Sequence, residues 1–166
     1  MVIDKLDYCL ERATADYVEM RHQRRAQICM SVRDGKMDAV RNGGVEGACA
    51  RALVNQSWGF ASTSQLGKDY LLRALEDATS LAKASKPRKK REVNLAKIEP
   101  HVDSYETSVK VDPRRASKEE LVEKVIATDK FVRGFSDAII SDGVILRVID
   151  DDLTFMSSEG AKITQR

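Results

Sequence analysis

Val2, Leu6, Cys9, Leu10 and Ala13 recur at helical spacing and predict an amphipathic helix over about Val2–Ala13, with one stripe turned to a sheet. From Ala15 to Met30 the apolar residues Tyr17, Val18, Ile28 and Met30 flank the polar stretch RHQRRAQ. That pattern fits one long strand solvated at its centre on one face, or a broken pair of strands. Asp34-Gly35 predicts a tight turn because Gly tolerates positive φ. Gly43-Gly44 has the same freedom, so strands near 36–42 and 45–54 are expected to form a meander. Val45, Ala48, Ala50, Ala52 and Val54 are small enough for a helix to approach closely. Asn55-Gln56-Ser57 then turns the chain into a strand from Trp58 to Ser62.

Ser64 is a candidate cap for a second helix reaching about Ser85, with Leu71, Leu75, Ala78 and Ala82 along one face. Pro87 stops it. Up to about Ala116 there is little periodicity, and the segment reads as a long surface crossing. Ser117 and Glu120 form a capping box that opens a third helix ending near Phe131, with Leu121, Val122, Val125 and Ile126 as its stripe. Phe135–Ser141 and Val144–Ser157, separated by Asp142-Gly143, are rich in Ile, Val and Phe and predict further antiparallel strands. Ser158-Glu159-Gly160 turns into a last apolar pair, Ala161 and Ile163. The order predicts an α+β fold: a largely antiparallel sheet with helices packed on one face. Residues 1–166 read as one domain, divided into helix, meander and helix over 1–85, a crossing over 86–116, and a helix plus strands over 117–166. A strand that closes at Arg166 without a cap points to a polypeptide that continues.

Composition narrows the class. The chain has 42% hydrophobic and 33% charged residues, with a formal net charge of +2, so no global field calls for a nucleic acid or an anionic membrane. Charges interrupt the N-terminal apolar residues every few positions, which leaves no signal peptide or membrane span to be drawn there. Cys9, Cys29 and Cys49 are odd in number and lack a Cys-x-x-Cys pair, which suits a reducing cytoplasm better than a disulfide framework.

Candidate chemistry is sparse. His22 lies within RHQRR and reads as a surface histidine, as does His101. A zinc site from His22, His101 and Asp103 stays open, though nothing favours it. Cys29 and Cys49 read as small buried hydrophobes. Ser57, Ser62, Thr63 and Ser64 read as turn and capping residues, with no Gly-x-Ser-x-Gly elbow. Asp150-Asp151-Asp152 lacks a calcium loop and reads as an exposed loop or strand-edge bulge. Lys86 and Arg88 to Arg91 form the one dense basic run; without interleaved aromatics it reads as a solvated linker rather than a nucleic-acid contact. Trp58 and Phe60 share a side of their strand and are expected to anchor the following helix to the sheet.

Several motifs together resemble one family. They are Arg33-Asp34-Gly35, the Gly44–Arg51 strand, the signature Trp58, Gly59, Phe60, Ala61, Ser62 and Thr63, and Val111-Asp112-Pro113 leading to Ser117-Lys118-Glu119-Glu120. The chain resembles the N-terminal half of TldD/PmbA proteins, long labelled modulators of DNA gyrase and understood as metalloproteases. The resemblance implies a two-part protein whose zinc is held in the C-terminal half by a helix carrying His-Glu-x-x-x-His and a further downstream ligand. Two imidazoles on one helical face would bind the metal, with the Glu placed to deprotonate zinc-bound water. This sequence does not contain that motif, so no catalytic residue, metal ligand or cofactor is assigned to it.

The resemblance further implies a dimer with itself or a paralogue, and an unfolded peptide as substrate. TldD-like members carry the zinc motif and PmbA-like partners lack it. The expected role is a substrate-enclosing, dimer-forming domain whose Trp58–Thr63 signature is structural or peptide-binding. Exposed strand edges in the 33–63 meander would receive an extended peptide as an added strand. A stand-alone binding or scaffolding module, and nucleic-acid binding through Lys86–Arg91, are the alternative readings.

Overall fold

The computed structural model describes residues 1–85 and 93–166. Its elements are α1 (Val2–Leu10), β1 (Tyr17–Arg33), β2 (Lys36–Val54), β3 (Ser57–Thr63), α2 (Lys68–Ser85), β4 (Val102–Tyr105), α3 (Lys118–Arg133), β5 (Gly143–Ser157) and β6 (Lys162–Gln165). The strands form a six-stranded sheet in the order β3-β2-β1-β5-β6-β4. The β2–β3 and β5–β6 pairs are antiparallel, and β4 runs parallel to β6. The fold is α+β with a mostly antiparallel sheet.

Two dipeptides reverse the chain in the meander. Asp34 and Gly35 have φ of +49° and +78°, and Asn55 and Gln56 have +48° and +63°. These are two-residue hairpin loops of the primed kind, whose twist matches that of the flanking strands. Gly43-Gly44 makes no turn: β2 continues through it as extended backbone without positive φ. A Cβ on Gly44 would stand 3.1 Å from the Arg25 carbonyl oxygen, so the small residue there serves close backbone approach. β1 likewise runs unbroken.

The chain forms two compact units. In the first (Met1–Arg24, Glu46–Thr107 and Asp151–Arg166), α1 supplies Leu6 and Cys9, and α2 supplies Leu71, Leu75 and Ala78. They pack on Val18 and Met20 of β1, Ala48, Ala50 and Ala52 of β2, and Met156. The alanines keep the strand surface low, and each buried Leu or Met adds about 1.5–3 kcal/mol. In the second unit (Arg25–Val45 and Ser108–Asp150), Leu121 and Val125 of α3 cover Met30 and Val32, flanked by Val144, Leu146 and Val148.

The capping box of α3 forms as expected. The Glu120 amide donates to Ser117 Oγ at 3.1 Å, and the Ser117 amide donates to Glu120 Oε2 at 2.7 Å. Three expectations fail. Ser64 does not cap α2, which begins at Lys68, because Thr63 Oγ1 takes the Gln65 amide at 3.0 Å and holds that stretch in a turn. Residues 135–141 are not a strand: Ser136 accepts the Ala138 amide through Oγ and the Ile139 amide through its carbonyl, which curls the backbone away from any ladder. Within the expected crossing, Val102–Tyr105 forms the exposed edge strand β4. Pro87 and the basic run Lys86–Arg91 lie outside the described residues.

Candidate functional site: the signature strand and an arginine–tryptophan face

The signature residues form β3, in register with β2 through Val54↔Ser57, Leu53↔Trp58, Ala52↔Gly59 and Arg51↔Phe60. The entering turn is tied down by Asp16, whose Oδ2 accepts the Asn55 amide at 2.7 Å and whose amide donates to the Leu53 carbonyl at 2.9 Å. Ser57 and Gly59 are buried, while Phe60 and Ser62 are exposed. A Cβ on Gly59 would overlap the Ala78 carbonyl of α2, so the helix lies directly on that glycine. This corrects the expected role of Trp58 and Phe60. Strand alternation places them opposite Gly59, and the helix is anchored by the absence of a side chain.

On the side away from α2, Trp58 meets a network of charges and rings. The Arg51 guanidinium lies 4.3 Å from the Trp58 ring centroid, and Tyr17 meets the ring edge-on at 5.9 Å. Arg51 Nη1 donates to Glu19 Oε1 at 2.9 Å, the Tyr17 hydroxyl donates to Glu19 Oε2 at 3.2 Å, and Arg21 pairs with Glu19 at 3.5 Å. Arg21 also stands 5.3 Å over the Phe155 ring. Glu19 is only 7% exposed, so these donors compensate a desolvated carboxylate. Burial, then the neighbouring Glu19, pushes the Tyr17 hydroxyl above its ordinary value. The arrangement brings two guanidiniums and three rings together. It offers a preorganised contact surface and no nucleophile.

The composition of RHQRR concealed these residues, because neighbours in a strand belong to opposite faces. The alternation Tyr17, Glu19, Arg21 is the signal that finds them. It also corrects His22, which is 7% exposed rather than a surface residue and lies with its Nε2 2.9 Å from Glu46 Oε1. His22 falls on the parity of Val18 and Met20, and that outranks its charged neighbours. His101 and Asp103 are exposed, and no three His, Cys, Asp or Glu among the described residues group closely enough to hold a metal.

The remaining candidates are accounted for by local structure. Cys9, Cys29 and Cys49 are free, and burial raises the thiols of Cys9 and Cys49 above their ordinary value, against thiolate chemistry. Asp150, Asp151 and Asp152 lie within β5 rather than in a loop. Asp150 pairs with Arg114 at 3.7 Å, Asp151 accepts from Gln23 at 2.8 Å, and Asp152 pairs with Arg24 and with Arg166. Asp112 receives two side-chain bonds from Arg114 at 2.8 Å, and this fork holds its pKa down at about 2. A groove of about 490 Å³ beside α3 is lined by Val111, Asp112, Arg115, Glu120 and Lys124 among others, with no His, Cys or Ser.

Residues 18–83, which include the whole meander and most of α2, match the family described as PmbA/TldA metallopeptidase domain 1. Over that stretch the chain is similar to the first domain of TldD/PmbA proteins. It is 26% identical over 161 residues to a metalloprotease of Methanocaldococcus jannaschii, covering 97% of this chain and 35% of that protein. In fold it is similar to TldE from Thermococcus kodakarensis, with a TM-score of 0.74 and 22% identity over 99% of this chain and 36% of that one. A proposed modulator of DNA gyrase from Bacteroides thetaiotaomicron gives a TM-score of 0.71 and 17% identity over 98% of this chain and 37% of that one. The chain therefore spans about a third of the length of these relatives. Among its described residues no helix is long and apolar enough to cross a membrane.

Proposed function

We propose that this chain is the substrate-enclosing, dimer-forming domain of a TldD/PmbA-type zinc metalloprotease acting on unfolded peptides in the cytoplasm. Its free thiols suit that compartment. The zinc and hydrolytic glutamate would belong to residues outside this sequence, which has no His-Glu-x-x-x-His. The partner would be a second copy or a paralogue. The face built on Arg51, Trp58, Tyr17 and Phe155 has the arginine and aromatic content of interface centres.

One observation carries the peptide reading. β3 pairs with Ala48–Val54 only, so among the described residues no strand lies on the outer side of β2 from Lys36 to Val45. That segment is exposed almost throughout, with Val40 and Val45 at 52% and 73%. An exposed strand edge offers unpaired amides and carbonyls at the spacing of an extended chain, so backbone bonds would supply affinity with little dependence on sequence.

The test is a Val40→Lys/Val45→Lys variant of the full-length protein, since lysine on an edge opposes strand addition. Peptide affinity is expected to fall by about tenfold, equivalent to ~1.4 kcal/mol, with the melting temperature unchanged. Unchanged affinity would remove this edge as the site.

A further inference from the structure

Where the hairpin tip meets α3, the carboxylates of Asp34, Asp129 and Asp142 gather near Arg133. Asp129, in the last turns of α3, is 1% exposed, and its Oδ1 accepts the Gly35 amide at 3.4 Å. Asp142 is bound reciprocally to Asp34: its amide donates to Asp34 Oδ1 at 2.9 Å, and its carbonyl accepts the Asp34 amide at 3.3 Å. Both carboxyl oxygens of Asp142 are shut off from solvent and accept no hydrogen bond, yet the group lies against Asp129. A Cβ on Gly35 would overlap the Arg133 guanidinium.

We infer that Asp142 holds a proton against Asp129, and that this proton latches the Asp34–Gly35 hairpin tip onto α3 and the 134–142 loop, more tightly as the medium acidifies. Two ionised carboxylates are both acceptors and cannot bond to each other, so a hydrogen-bonded contact between them requires a proton. The charged groups facing Asp142 are Asp129 and Arg133 from α3 and Asp34 from the turn. Asp34 stays ionised, because the Asp142 amide and then Ser141 hold its carboxyl below the ordinary value. Asp142 takes the proton: burial first, then Asp129, raises it above 3.8, against the opposing pull of Arg133. A carboxyl raised on folding adds stability that is present below 3.8 and is lost as pH climbs through the raised value. The inference stands whether or not a peptide adds to the hairpin edge.

The test is carboxyl-carbon NMR titration of the intact protein with labelled aspartate, together with amide exchange at Gly35 corrected for the intrinsic rate. One aspartate is expected to titrate above the ordinary range. Its signal should vanish in Asp142→Asn and return to the ordinary range in Asp129→Asn. Gly35 protection should fall with rising pH in the wild type and lose that dependence in Asp142→Asn, where the amide donates at every pH. Aspartates that all titrate at or below the ordinary value would overturn the latch. So would Gly35 protection with the same pH dependence in Asp142→Asn, or a melting temperature that rises with calcium or magnesium in the wild type and not in Asp142→Asn.

Discussion

Arg51 holds its guanidinium 4.3 Å from the centroid of Trp58 while donating to buried Glu19 at 2.9 Å. One side chain thus satisfies a desolvated carboxylate and covers the sole tryptophan of the chain. Arg51→Ala is expected to cost about 1–3 kcal/mol, mostly by leaving Glu19 short of a donor. Urea unfolding followed by Trp58 fluorescence measures it. The paired Arg51→Ala/Glu19→Gln variant should recover part of the loss.

Gly59 and Gly43 test opposite demands on the same residue type. Gly59→Ala forces a methyl into the Ala78 carbonyl, which is backbone and cannot rotate away, so a loss of about 1–3 kcal/mol or more is expected. Gly43 has nothing within 4 Å of a built Cβ. Gly43→Ala should therefore gain up to ~1 kcal/mol from reduced chain entropy. Thermal melts of the two variants should move in opposite directions.

The Asp112–Arg114 fork makes an acid-side prediction. Asp112 has its pKa lowered from 3.8 to about 2 by Arg114, so its stabilising contribution is present above 3.8 and is lost as pH falls toward about 2. The stability gap between wild type and Asp112→Asn should hold steady above 3.8 and close over that interval, as read by denaturant titration at stepped pH.

Ser117 and Glu120 cap α3 reciprocally, and Ser117→Ala is expected to destabilise its unit by about 0.5–2 kcal/mol. Native-state amide exchange should show the loss in the first turn of α3, with smaller changes in α2.

Local chemistry was legible wherever one residue type decides one conformation. Asp34-Gly35 and the Ser117–Glu120 box each satisfy a specific backbone requirement, and both form. Gly43-Gly44 misled because glycine permits a turn without imposing one, and the neighbouring backbone at Arg25 keeps it extended. β4 carries no burial signal in its own residues, since its pairing with β6 joins segments far apart in sequence. The Arg51–Trp58–Glu19 contacts depend on three strands meeting in register. RHQRR shows that register only when odd and even positions are read separately.

The central claim is that an extended peptide joins the edge of β2 between Lys36 and Val45, which no strand covers among the described residues. The most direct measurement compares the affinity of the full-length protein for an unfolded peptide and for the same peptide methylated on alternate amide nitrogens. Strand addition predicts at least about tenfold weaker binding in the one methylation register that blocks donors facing β2, with little change in the other. Equal affinity for all three peptides would contradict it.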